Sequence, residues 1–162
     1  MASLIDRFTT LDRGVTAWLG LHGVNLSRIS LGIIFLWFGA LKFVPDWSPA
    51  ADLASRTIEQ VTFGMVPREP GLLVLAAWET LIGLGLLTAK FLRVTLLLLA
   101  VQMMGTLLPL VLFPGETFVV FPLAPTLEGQ YIIKNLVLVS AAAVVGATLR
   151  GKGLAPDPAV HA

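Results

Sequence analysis

The chain of 162 residues contains no cysteine. That absence removes disulfides, iron–sulfur ligation and any thiol-based redox step carried by this chain, and says nothing about compartment. Histidine is nearly as scarce: His22 precedes the first apolar segment and His161 sits in the C-terminal tail. Neither can ligate a haem inside a bilayer, which argues against a cytochrome, and no metal-ligand set is evident. Charged residues make up 13% of the chain, against about 25% in an average soluble domain. A net charge of +1 offers no basic surface, which sets nucleic acid aside. No G-x-G-x-x-G stands between a strand and a helix, so no nucleotide-cofactor fold is indicated.

What is present is apolar. Residues of the hydrophobic classes make up 56% of the chain, and four stretches approach the ~20 residues a helix needs to cross a bilayer. These run from Leu26 to Val44, Gly71 to Ala89, Leu92 to Phe113 and Tyr131 to Leu149. The expected fold is therefore all-α: an integral membrane four-helix bundle spanning residues 26–150. Only Ala89-Lys90-Phe91 separates the second and third spans, a turn tight enough to make them an antiparallel pair. With the N-terminus inside, Arg7, Arg13, Arg28, Lys90, Arg93, Arg150 and Lys152 fall on the cytoplasmic side. Lys42, Arg56, Arg68 and Lys134 fall opposite, so the basic residues favour an N-in, C-in arrangement. A cleaved signal peptide is the weaker reading of the first span, which starts after an organised segment.

Outside the spans, residues 1–25 read as an N-terminal interfacial segment. Leu4, Ile5, Phe8, Leu11, Val15, Trp18 and Leu19 share one helical face, as in a helix lying at the cytoplasmic interface. The loop from Pro45 to Pro70 carries a short extracytoplasmic helix, capped by Ser48, with Pro49 at its first position and Gly64 ending it. The loop from Pro114 to Gln130 is unusually apolar, with Phe118, Val119, Val120, Phe121 and Leu123 among three prolines. Such a surface is expected to be covered, either folding back on the bundle as packing or a lid, or dipping into the headgroup layer. Residues 151–162 read as a disordered cytoplasmic tail.

The polar residues inside the spans are the most informative, because an ionised group at mid-bilayer costs about 2.5–3.5 kcal/mol on insertion scales. Glu79 is the deepest, ~12 Å below the outer surface at 1.5 Å per residue. Lys42 ends the first span, Gln102 and Thr106 lie in the third, and Gln130, Lys134 and Asn135 open the fourth. Pro109 cannot donate to the carbonyl of Gly105, so the third helix is expected to bend there and leave a free acceptor near Thr106. Two readings follow. Glu79 pairs with Lys42 or Lys134 simply to fix helix register, or these groups line a pocket that binds a polar head or relays protons. Trp18 and Trp47 sit where interface anchors sit. Trp37 and Trp78 are deeper, suited either to a helix contact or to stacking on a planar ring. Met103 and Met104 are expected to pack; Gly83, Gly85 and the spaced pairs Ala142/Gly146 and Ala143/Ala147 are candidate close contacts.

The run containing Trp37-Phe38-Gly39-Ala40-Leu41-Lys42-Phe43 resembles the first helix of the DoxX-like family. Trp78-Glu79-Thr80-Leu81-Ile82-Gly83 resembles its second, and the stretch from Pro125 to Leu136 the start of its fourth. The resemblance covers residues 26–150 and is most specific in "WFGALKF" and "PTLEGQYIIKN". It implies a small bacterial inner-membrane protein with four helices. Some relatives are linked to a thiosulfate:quinone oxidoreductase, others to membrane-associated oxidative-stress complexes. The matched polar positions are Trp37, Lys42, Glu79, Glu128, Gln130, Lys134 and Asn135. Lacking cysteine, this chain cannot itself carry sulfur as a persulfide.

Together these point first to a membrane subunit binding a quinone in the outer half of the bundle, with no covalent cofactor and no autonomous catalytic motif. Glu79 would exchange the proton, Lys42 and Lys134 would hold the polar head, Trp37 or Trp78 would stack, and a peripheral oxidoreductase would be the partner. A proton-coupled or small-solute transporter, requiring a homodimer because four helices are few, is the second possibility. A non-catalytic scaffold for a soluble partner is the third.

Overall fold

Backbone amides in lipid have no water to bond, so every spanning segment must close its own hydrogen bonds as a helix. The computed structural model describes residues 2–151, with side chains from Arg7 onward. Within it α1 (Ala2–Leu41), α3 (Arg68–Thr88), α4 (Leu92–Leu107) with α5 (Pro109–Leu112), and α7 (Leu127–Ala147) carry four candidate spans, long and apolar enough to cross a membrane. The chain is thus a multi-pass, all-α bundle. Short elements decorate one end of it: α2 (Ala51–Val61), α6 (Pro114–Thr117) and a two-stranded ribbon of β1 (Phe118–Val120) and β2 (Ala124–Pro125). We call this the loop end, and the end bearing Ala89–Phe91 the turn end.

Helix α1 departs from expectation. Its 40 residues run without interruption through the anticipated boundary near residue 26, so among the described residues the N-terminal segment and the first span are one helix. No proline falls in that stretch, and Gly23 alone costs only about 1 kcal/mol in a helix, too little to end one. At 1.5 Å per residue α1 is ~60 Å long, twice the ~30 Å hydrocarbon core. The side chains of Leu4 and Ile5 lie outside the described residues, as does the expected tail beyond Gly151.

The α1–α3 contact is the most extensive in the bundle, and glycine lets the two helices approach closely. A Cβ on Gly39 would lie 2.8 Å from the backbone nitrogen of Thr80 and 3.0 Å from the Glu79 Cβ. One on Gly83 would fall closer still, onto the backbone of Leu36. Around this seam pack Leu31, Phe35, Ile82, Leu86, Leu99, Met103 and Ala142, the buried core. Ala142 is therefore a packing position as expected, whereas Ala143, Ala147 and Met104 are exposed on this chain. At the turn end Ala89 (φ 57°) and Phe91 (φ 52°) both take the left-handed conformation that reverses the chain. There the Arg28 guanidinium donates to the carbonyls of Leu86 and, at 3.1 Å, Leu87, closing acceptors that the end of α3 leaves open.

At the loop end, α2 starts at Ala51 with Ala50 as an uncapped N-cap, so neither Ser48 nor Pro49 plays its expected part. Gly64, with φ of 78°, does follow its end, and its N–H donates to the Glu59 carbonyl at 2.8 Å. The break at Pro109 is present, but the Gly105 carbonyl is not left free. It accepts the Leu108 N–H at 3.2 Å, because the last turn of α4 tightens before the proline. Helix α7 begins four residues ahead of Tyr131, capped by Thr126, whose Oγ1 accepts from the Gly129 N–H at 3.2 Å. The apolar hairpin is not covered by this chain: Val119, Val120, Phe121 and Leu123 are all exposed.

Candidate functional site

The close approach at Gly39 sets the geometry of the one charged cluster buried between spans among the described residues. Lys42 follows the last residue of α1, and Glu79 stands on the buried face of α3. Their side chains meet with Lys42 Nζ 2.6 Å from Glu79 Oε2, and both residues are at least nine-tenths buried. Gln102, on α4, donates its Nε2 to the other carboxylate oxygen at 3.0 Å. Lys42 also donates to the Phe38 carbonyl at 3.2 Å. Three spans thus contribute to one carboxylate. Beside it the Thr80 hydroxyl is buried with no partner.

Counting donors shows what the cluster has left. An ammonium carries three N–H and a primary amide two plus an acceptor oxygen. Lys42 spends two and Gln102 one, which leaves one ammonium N–H, one amide N–H, the amide oxygen and the Thr80 hydroxyl. These are donors and acceptors that the ion pair leaves unused, and neither the groove at Trp37 nor the depression at Arg56 is lined by them. Removing one partner of such a pair leaves an uncompensated buried charge, a loss of about 3–5 kcal/mol in soluble proteins.

The other expected members do not join. Thr106 uses its hydroxyl on its own helix, donating to the Gln102 carbonyl at 2.9 Å, and so braces Gln102 rather than the carboxylate. Lys134 is exposed, its Nζ 5.3 Å from the centroid of Tyr131. Glu128 and Gln130 are exposed as well, and Asn135 is half-buried without a contact to Glu79. For Gln130 and Lys134 the reason is rotational: the buried face of α7 is occupied by Gly129, Ile132, Ala142 and Val145, and these two lie off that stripe, whereas Asn135 falls within it and still makes no bond to Glu79. Trp78 fills the α3–α4 contact, its indole donating to the Leu98 carbonyl at 3.3 Å. Trp37 is 64% exposed on another face of α1, in a shallow groove of about 400 Å³ with Ile33, Ala40, Val44 and Trp47.

A second polar assembly at the loop end was not anticipated. Arg56 of α2 forms a two-bond fork with Glu116 of α6, at 2.7 and 2.5 Å, with Asp52 at 2.9 Å and the Phe113 ring 5.0 Å away. Arg68 pairs with Glu59 at 2.6 Å. The hydrogen bonds from Arg56 hold the Glu116 carboxyl below its ordinary value, and Glu116 in turn raises Arg56. Asp52 and Arg56 stand at helical i,i+4 spacing and were readable; the partner sixty residues on was not. Arg56, Glu59, Gln60, Phe63, Arg68 and Phe113 line an open depression of about 400 Å³.

Compared with known proteins, the chain matches no family model, no curated protein and no solved structure.

Proposed function

We propose that this protein is a bacterial inner-membrane subunit that binds a lipid-soluble redox ligand, a quinone, by its polar head at Lys42, Glu79 and Gln102. The observation that carries the reading is the spare bonding capacity of a buried, charged cluster: free N–H groups on Lys42 and Gln102 and an unpartnered Thr80 hydroxyl. A quinone carbonyl accepts such bonds, and on reduction its oxygens take protons from water, which Glu79 would relay by first taking up a proton and then releasing it to the quinone oxygen. Electrons come from a peripheral oxidoreductase, because this chain has no thiol to hold them. The resemblance of the Trp37–Phe43 and Pro125–Leu136 stretches to the DoxX-like family agrees with a quinone-linked respiratory or oxidative-stress role. The greater number of basic residues toward the turn end supports N-in, C-in insertion.

Purified protein in liposomes, titrated with a short-chain quinone and followed by tryptophan fluorescence, tests this. Saturable quenching is expected, lost in Glu79→Gln and Lys42→Met but retained in Trp37→Leu, with helicity unchanged by circular dichroism. Equal quenching in all four proteins would refute it. A non-catalytic scaffold is the second reading, favoured because both Glu79 oxygens already accept a bond, as a register lock requires. That reading gains if the Lys42→Met, Glu79→Gln double variant keeps the cellular phenotype.

A further inference from the structure

The half of α1 nearer the turn end stands away from the rest of the described chain. Residues 7–22 are exposed throughout, and beyond the local turns of α1 itself nothing among the described residues comes within 4 Å of a Cβ built on Gly14, Gly20 or Gly23. Yet this half is not polar all round. Phe8, Leu11, Val15 and Trp18 are 72, 66, 56 and 51% exposed, and they recur at alternating spacings of three and four, with His22 next in the series. That is the a/d seam of a coiled coil.

Lipid cannot cover this seam. Because α1 is uninterrupted from Ala2 to Leu41, its first half cannot lie flat on a bilayer that its second half crosses. Counting back ~20 residues from Lys42 for the span leaves residues 7–22 projecting ~24 Å beyond it. The stripe also continues. At about 100° per residue, Leu26, Ile29, Ile33, Trp37 and Ala40 fall on the same side of α1 as Phe8 and Leu11. In the span this side is the shallow groove at Trp37, which borders the α3 contact at Leu36 and is otherwise exposed.

We infer that a second copy of this chain docks along that stripe, α1 against α1, in a two-fold homodimer. Two identical chains inserted with one topology must present α1 in parallel, and a two-fold axis along the helix makes the interface self-complementary. The flanking charges fit a parallel pair. With Phe8 at an a position, Arg7 is at g and Asp12 at the following e, the two positions that meet across a parallel coiled coil. Neither Arg7 nor Asp12 has an ion-pair partner among the described residues, so each is available to the other copy. The inference is independent of any ligand at Glu79.

The absence of native cysteine makes the test direct. Single substitutions Leu11→Cys, Val15→Cys, Arg13→Cys and Thr16→Cys are oxidised in native membranes, and disulfide-linked dimer is read on gels. Leu11→Cys and Val15→Cys are expected to cross-link at least about tenfold faster than the outward-facing pair. Arg7→Glu and Asp12→Arg should each slow cross-linking of Val15→Cys, and the double reversal should restore it. Cross-linking that is uniform in position, absent at Leu11 and Val15, or indifferent to the charge reversals overturns the proposal.

Discussion

The two halves of α1 are built from the same kinds of residue and use them for opposite ends. Gly32 and Gly39 in the second half are notches that admit α3, whereas Gly14 and Gly20 in the first half touch nothing within the chain. Leu31 and Phe35 are core, while Leu11 and Phe8 are exposed. A residue's role in this protein is set by what stands opposite it, and the sequence of one helix does not contain that information.

Substitutions that exchange the two environments should break the contrast. Gly83→Leu drives a side chain into the Leu36 backbone, and overpacking of this kind costs about 1–3 kcal/mol or more. Loss of the monodisperse detergent-solubilised protein is expected. Lys42→Met leaves Glu79 buried and unpaired and should lower stability by about 3–5 kcal/mol, with most of it recovered on adding Glu79→Gln. Thermal melts of the three variants check the cycle.

The loop-end pair sharpens the comparison by being exposed. Glu116 has its carboxyl depressed in the folded chain, so its contribution is present above the ordinary value of 4.5 and is lost as pH falls through the lower folded value. The melting difference between the parent and Glu116→Gln should accordingly vanish in acid, and it should shrink in high salt. The smallest effect is expected at Gly20→Ala, which meets no neighbour and should add up to about 1 kcal/mol of local helix stability. Amide exchange in residues 16–24 measures it.

Much of the architecture could be read before any coordinates. Apolar length gave four spans, the three-residue turn gave the α3–α4 pairing, and the cost of a carboxylate in lipid singled out Glu79 and Lys42 together. The sequence reading did not choose between Lys42 and Lys134, because that choice depends on the rotation of α7, which its weakly patterned Leu, Val and Ala surface does not encode. The break at Pro109 was legible but its consequence was not, since the Leu108 N–H takes the released carbonyl. The Arg56–Glu116 fork was invisible because it joins two loops through space. The expected break near residue 26 is absent for a different reason: amphipathic spacing identifies a face and not where one helix ends and the next begins.

One detail at the turn end bears on how deep α3 can sit. The last carbonyls of α3 are closed by Arg28, a side chain of α1, and not by any residue of their own helix. Without α1, those two acceptors of α3 would depend on water reaching the membrane edge. Docking against α1 thus lets the end of α3 sit deeper than its own backbone would allow, because its acceptors arrive already bonded.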